Sequence, residues 1–346
     1  MGFYTFAEQM KALGSGAVTI REQARVAENP DNLLWGTLFP RVNTTSIKLS
    51  EMTVPQQRQV TGRRGWNAPG RQVTFKNPKL VNMEMTPIEG WIRLGEYEMQ
   101  LLMEQHGNNE AAMKQALGFS LNSRISALND ANNRRIEMDA FDAWLNNQIT
   151  VRNPTTGASH TVDLQIDSSR YVTESWTGTD AYDLFLAAIR AAIRKLPNVN
   201  GCMMRETTYA HIVKNGPSVP GSTAPMTRTQ FLDNLRSELG QPFGIRIDER
   251  TAEEYQGADQ TLTTVNYFTA QKVAFTTSSP IGSSYFAPVA RAYNAMQSIP
   301  VEMRDANGFW TFISAPNDGK NLHVEAQVNA LPMPNEQNVL VYSVGI

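Results

Sequence analysis

One cysteine, Cys202, in a chain of 346 residues excludes an intramolecular disulfide and fits a reducing compartment. Charge is scarce as well: Asp, Glu, Lys and Arg make up 18% of the residues, against roughly 25% in an average globular chain. A chain that economises on charge while devoting 41% to hydrophobic residues fits a subunit that hides surface against other subunits. The formal net charge of −2 lacks the cationic excess of a protein that condenses or tracks nucleic acid, so only weak, non-specific contact with DNA is expected. No basic stretch followed by an apolar run opens the chain, and no apolar run reaches membrane-spanning length. The expectation is neither export nor membrane insertion. Asn43-Thr44-Thr45 matches a glycosylation sequon, but without an export signal it reads as chance.

Catalytic vocabulary is also missing. The four histidines, His106, His160, His211 and His323, are scattered, and none sits at metal-ligand spacing from Cys202 or from another histidine. No phosphate-binding loop, dinucleotide fingerprint or nucleophile elbow is present. Cys202 lies in an apolar run and reads as core, and His323 reads as a solvated residue beside Glu325, Gln327 and Asn329. Asp248-Glu249 and Glu253-Glu254 read as acidic pairs of a solvated loop, because sequence neighbours seldom converge on one reacting atom. No catalytic, metal-binding or cofactor-binding residue is assigned, and an enzyme is the least favoured class.

What is present is a succession of distinct elements. Phe3, Phe6, Met10 and Leu13 have helical spacing; Gly14-Ser15-Gly16 and Asn29-Pro30-Asp31 break the chain, and Leu33 to Pro40 is a short apolar run. This opening reads as an arm whose apolar anchors Trp35, Leu38 and Phe39 have no local core. Thr45–Leu49 and Gln72–Met85 read as the strands of a long hairpin. Thr86-Pro87-Ile88-Glu89 has a capping-box pattern, but Gly90 and Gly95 favour continued strand and a later helix start. From Gly95 to Gln148 the pattern is helical, with Met113, Leu117, Leu121, Ile125 and Leu128 on one stripe and an interruption at Gly107-Asn108-Asn109. From Asn109 to Asn147 it would measure about 55–60 Å. A second hairpin over 149–173, a helix over 180–196 and alternating strands and helices follow: strand 199–204, helix 206–213, helix 229–239, strand 243–248, strand 272–276. The end is strand-rich, with Val324, Ala326, Val328 and Ala330 inward and a buried strand at Val339–Val344. The class is α+β.

The hairpin is chemically the most unusual element. Between Gln56 and Leu80 it carries six cations, Arg58, Arg63, Arg64, Arg71, Lys76 and Lys79, and no acidic residue. A lone hairpin is marginal in water, so this one is expected to dock on an acidic protein neighbour. Each exposed ion pair contributes only about 0–1 kcal/mol, and the contact gains weight by being repeated.

This order of elements resembles the major capsid proteins of tailed double-stranded DNA phages with the Hong Kong 97-type shell fold, the phage lambda-type head protein family in particular. The likeness is carried by Tyr4-Thr5 with Ala7, Leu34 to Pro40 before Thr44-Thr45-Ser46-Ile47-Lys48-Leu49, Phe75-Lys76-Asn77-Pro78-Lys79, and Ser314 to Ile346 with Ala330-Leu331-Pro332-Met333-Pro334. The resemblance implies an N-terminal arm (1–43), an extended β-hairpin loop (44–94), a peripheral domain with a spine helix (95–175), an axial domain (176–312) and closing strands of the peripheral domain (313–346). It further implies a virion capsid protein, assembled in the host cytoplasm into hexamers and pentamers that enclose phage DNA. A separate scaffolding protein, a portal and a decoration protein are the implied partners. The lysine–asparagine crosslinking of one branch of the fold finds no matching context here.

Intersubunit contacts are accordingly expected at Trp35, Leu38, Phe39, Arg58, Arg63, Arg64, Trp66, Arg71, Lys76 and Lys79. Asn215 to Thr229, rich in turn residues, is expected to line the ring axis through Gly216, Pro217, Pro220, Gly221 and Pro225. The rival readings are a nanocompartment shell of the same fold and a tail or baseplate structural protein.

Overall fold

The computed structural model describes residues 33–53, 79–106, 109–152, 158–217, 226–256, 261–287, 301–304, 310–314 and 322–346. The described chain enters through a single helical turn, α1 (Trp35–Leu38), and a short strand, β1 (Arg41–Asn43). β2 (Lys48–Thr53) and β3 (Lys79–Glu84) pair antiparallel, Lys48 opposite Glu84 and Thr53 opposite Lys79, which is the base of the expected hairpin. Its tip, with Arg58, Arg63, Arg64, Trp66, Arg71 and Lys76, lies outside the described residues, as does the expected helix at Phe3–Leu13.

β4 (Pro87–Leu94) is extended, and the helical region starts only after Gly95, with α2 (Glu96–His106). Ile88, Gly90, Ile92 and Leu94 turn inward while Glu89, Trp91 and Arg93 face water, a period of two that no helix face can satisfy. The long helix α3 (Glu110–Asn146) has 37 residues, about 55 Å. Asn109 starts it by accepting the Ala112 N–H at 3.1 Å, and Asn147 ends it in the left-handed conformation at φ 59°. Its apolar stripe, Leu117, Leu121, Ile125 and Leu128, is buried and continues through Ile136, Ala140 and Trp144.

β5 (Gln148–Arg152) and β6 (Ser159–Asp163) form the second hairpin, while β7 (Tyr171–Ser175) departs to a different sheet. α4 (Ala181–Lys195), β8 (Val199–Met204), α5 (Glu206–Lys214), α6 (Arg228–Leu239) and β9 (Gly244–Ile247) follow as the periodicity predicts. Thr227 and Gln230 close a capping box on α6, and Gly240, at φ 66°, stops it. The remaining strands are β10 (Thr251–Gln256), β11 (Thr261–Asn266), β12 (Lys272–Thr277), β13 (Gly282–Ala287), β14 (Val301–Arg304), β15 (Trp310–Ser314), β16 (Leu322–Pro334) and β17 (Val341–Gly345).

Two sheets organise these elements. The first runs β1-β13-β16-β15-β14, with β4 also paired to β16, and α3 lies across it. Val324, Ala326 and Val328 of β16 are buried, as the alternation predicts, and Asn132 of α3 donates its amide to the Ala326 carbonyl at 3.2 Å. Gly90 of β4 permits the close approach: a Cβ there would lie 3.1 Å from Leu128 Cδ2. The second sheet runs β7-β17-β12-β8-β9, and α4 covers it with Phe185, Ile189 and Ala192 against Phe275, Tyr342 and Val344.

Sheet membership runs across the expected segments. β7 and β17, both assigned to the peripheral segments 95–175 and 313–346, belong to the second sheet, β17 parallel to β7 and antiparallel to β12. β13, assigned to the segment 176–312, belongs to the first sheet beside β16, and β4, assigned to the hairpin segment, is a full member of that sheet too. Strand pairing is long-range in sequence, so compositional breaks do not mark the sheet boundaries.

Candidate functional site

Trp35, Leu38 and Phe39, the arm's anchors among the described residues, all find packing within their own chain. Phe39 is 1% exposed and sits with Phe141, Trp144 and Phe268; Trp35 and Leu38 pack partly against the same cluster. Trp35 also lies 5.8 Å, centroid to centroid, from Phe286. The expectation that this run has no local core is therefore wrong, and Phe39 has no surface left for a second subunit. Trp35 and Leu38 keep partly exposed faces.

A buried carboxylate holds the backbone of the same run. Glu137 projects from the middle of α3 and is 0% exposed. The Leu34 N–H donates to both of its oxygens at 3.0 Å, and the Trp35 N–H donates to Oε2 at 2.6 Å. These are the amides at the start of α1, which has no side-chain cap of its own. Arg250 completes the site, with Nη1 2.8 Å from Glu137 Oε1 and Nη2 2.6 Å from Asp248 Oδ2. Its guanidinium also lies over the rings of Phe141 and Tyr267, at 5.6 and 5.4 Å. Burial pushes the Glu137 carboxyl above the usual range, while the Leu34 amide and Arg250 oppose it.

The acidic pairs expected in a solvated loop are thus redistributed. Asp248 is buried against Arg250, and Glu254 of β10 pairs with Arg135 of α3 at 2.7 Å. Glu249 pairs with Arg205 and accepts the Glu206 N–H at 2.8 Å. Arg135 also pairs with Asp139 at 2.9 Å, and burial raises the Asp139 pKa to about 6 against the pull of Arg135.

The expected axis loop is described at its two ends only. Gly216 donates its N–H to the Val213 carbonyl, Pro217 is exposed, and Pro220, Gly221 and Pro225 lie outside the described residues. The loop leaves from a rigid base: Tyr182 packs edge-on to Phe231 at 5.7 Å, donates to Glu238 Oε1 at 3.1 Å, and accepts from Asn234 at 2.9 Å. Lys79, the last hairpin cation, is the first residue of β3, opposite Thr53.

Three exposed aromatic residues went unassigned at the level of sequence: Trp91 at 61%, Tyr97 at 73% and Phe119 at 76%. Trp91 carried a legible signal, because strand alternation puts it with Glu89 and Arg93 on the outer face. Phe119 falls off the Leu117–Leu121–Ile125 stripe, so helical spacing also marks it as outward. His323 is not simply solvated: it is half-buried, stacked on Trp91. Cys202 is buried in β8, and burial pushes its thiol pKa up, away from the thiolate a nucleophile requires. His211 donates through Nε2 to the Trp176 carbonyl at 2.6 Å, a structural tie. Among the described residues no group of three or more His, Cys, Asp or Glu side chains could hold a metal ion, and no helix is long and apolar enough to cross a membrane.

No family model and no curated protein matches this chain. Solved structures do. A chain assigned as a prophage capsid protein in E. coli CFT073 is similar over 95% of this chain and 98% of its own, with a TM-score of 0.53 at 12% identity. A phage-related protein from Bordetella bronchiseptica RB50 covers 94% and 95% with a TM-score of 0.44 at 12% identity. The virus-like particle of Pyrococcus furiosus covers 94% and 97% with a TM-score of 0.42 at 8% identity. The first match identifies the fold: the chain is an α+β protein with the phage capsid architecture along nearly its whole length.

Proposed function

We propose that this chain is the major capsid protein of a tailed double-stranded DNA phage, a structural subunit that assembles into a closed icosahedral shell and performs no catalysis. The observation that carries the reading is the match in fold to a prophage capsid protein over 95% of the chain, with no segment of enzymatic size left over. Low charge supports it, and Trp91, Tyr97 and Phe119 are large aromatic side chains exposed on the folded chain and free to meet a partner. The partner here is a second copy of the chain. Trp91, Tyr97 and Phe119, the outer faces of Trp35 and Leu38, and the hairpin cations Arg58, Arg63, Arg64, Arg71, Lys76 and Lys79 with Trp66 are the contact candidates. The segment from Asn215 to Thr229 is the candidate for lining the ring axis, where one loop must serve rings of two sizes. The location is the virion capsid, built in the host cytoplasm with a scaffolding protein, a portal and a decoration protein as partners.

The test is electron microscopy and sedimentation of the full chain, alone and co-expressed with its neighbouring genes. Closed particles of uniform size are expected. Rings or tubes would instead indicate a tail or baseplate component, and a sharp monomer under every salt condition with scaffold present would overturn the reading.

A further inference from the structure

The chain from Asp248 through Arg250 and Glu137 to the amides of Leu34 and Trp35 joins three parts of the molecule that are remote in sequence. Asp248 directly follows β9 and is itself fixed, its N–H donating to the Met204 carbonyl at the end of β8 at 3.0 Å. Asp248 receives the Arg250 side chain through three contacts, Nε at 3.0 and 3.2 Å and Nη2 at 2.6 Å, and accepts the Arg250 N–H at 3.0 Å. Arg250 so held reaches one oxygen of Glu137, and the carboxylate spends its remaining capacity on Leu34 and Trp35. A carboxylate removed from water persists only when it is well partnered, and Glu137, fully buried, is partnered by the half-buried Arg250 and by the two amides.

We propose that this relay is a latch for the N-terminal arm: Glu137 is the positioning residue that fixes where the arm leaves the body, and Arg250 makes that fixation depend on the end of the second sheet. A shift of Asp248 or Arg250 relative to α3 withdraws the charge that orients Glu137. The Leu34 and Trp35 amides then lose their acceptor, and the run 33–39 loses its fixed register. Packing of Leu33, Leu34 and Phe39 keeps the run near the body, so the latch governs register and protection rather than overall attachment. The inference concerns the subunit itself and stands whether or not the subunit forms shells.

The test is hydrogen exchange read by mass spectrometry on the full chain and three variants, Glu137→Gln, Arg250→Met and Asp248→Asn. Asp248→Asn is the decisive variant, since Asp248 touches no arm residue in the hydrogen-bonded chain above. Loss of a charge-assisted bond predicts roughly tenfold or faster exchange over residues 33–39 in all three, with peptides from β12 unchanged. Faster exchange in Glu137→Gln alone would overturn the relay, since the amides would then depend on Glu137 without Arg250 or Asp248. Equal acceleration in β12 would overturn it too, by showing general loosening of the fold. Trypsin cleavage at Arg41 gives an independent readout of the same run and should quicken in the same three variants.

Discussion

The indole of Trp91 and the imidazole of His323 lie nearly parallel, 5.3 Å apart at 11°, on the face of the first sheet turned away from α3. They come from β4 and β16, as a diagonal pair on one face: His323 lies opposite Arg93 and Trp91 opposite Glu325, two register positions apart. The stack supports Trp91 from beneath while leaving most of the ring in water. That is an arrangement for presenting an aromatic surface.

Replacing Trp91 by alanine should therefore leave the subunit folded and impair assembly. Surface substitutions of this kind usually change stability by no more than about 0.5 kcal/mol, whereas an aromatic anchor at an interface commonly costs about 2 kcal/mol or more. Urea midpoints of the unassembled subunit and particle yield by sedimentation separate the two effects. Wild-type yield from W91A would remove Trp91 from the contact set.

The cationic hairpin makes a prediction of a different kind. Reversing Arg63 and Arg64 together to glutamate should lower particle yield with no change in subunit stability. Wild-type assembly should weaken as salt rises, because charges exposed to solvent are screened within about 8 Å at physiological ionic strength. Salt-independent assembly, or a normal yield from the double variant, would count against docking on an acidic neighbour.

Asp139 gives a pH signature. Burial lifts its pKa to about 6, above the ordinary value of 3.8, so the folded state holds this proton more tightly than the unfolded chain. The resulting stabilisation is complete below the unfolded pKa and disappears as pH rises through about 6. Asp139→Asn should lack this component, which is on the order of 1–3 kcal/mol. Urea midpoints should fall less steeply between about pH 4 and pH 7 in D139N than in the wild type; parallel profiles would refute the assignment. Glu137 titrates in both proteins and cancels in the comparison.

Lys272 closes the far end of α3. Its ammonium, from the second sheet, donates to the Leu145 carbonyl at 2.6 Å and to Asn146 Oδ1 at 2.5 Å, and burial holds its pKa below the usual lysine range. A cation at a helix C-terminus is favourable in itself. Lys272→Met should cost about 1–3 kcal/mol by leaving those acceptors unpaired, seen as a lower urea midpoint and faster exchange across residues 141–147.

Elements whose cause is local were legible. α4 shows its stripe of Tyr182, Phe185, Leu186 and Ile189, its acidic start and its basic end without reference to anything distant, and it was placed to within a residue at each end. The long helix and its break at Gly107-Asn108-Asn109 were read the same way. The hairpin of β10 and β11 was not, because its inward residues Ala252 and Val265 are few and its register depends on packing under Tyr267 and α3. The buried acids were misread for the same reason. Glu137 looks like any polar residue on a helix, and only the fold brings Leu34 and Arg250 to it. Asp248-Glu249 read as solvated because sequence shows acidity and not its partners.

The placing of β16 and β17 bears on how the molecule comes into being. β16 is the partner of β4, β13 and β15, and β17 lies between β7 and β12, so each sheet has its central seam in a strand translated late. Until β16 has left the ribosome β4 lacks its partner strand, and until β17 has followed β7 lacks its own. Contacts of such sequence separation form slowly, and exposed strand edges invite mispairing in the interval. The order of synthesis thereby sets the earliest moment at which the finished surface of this chain exists.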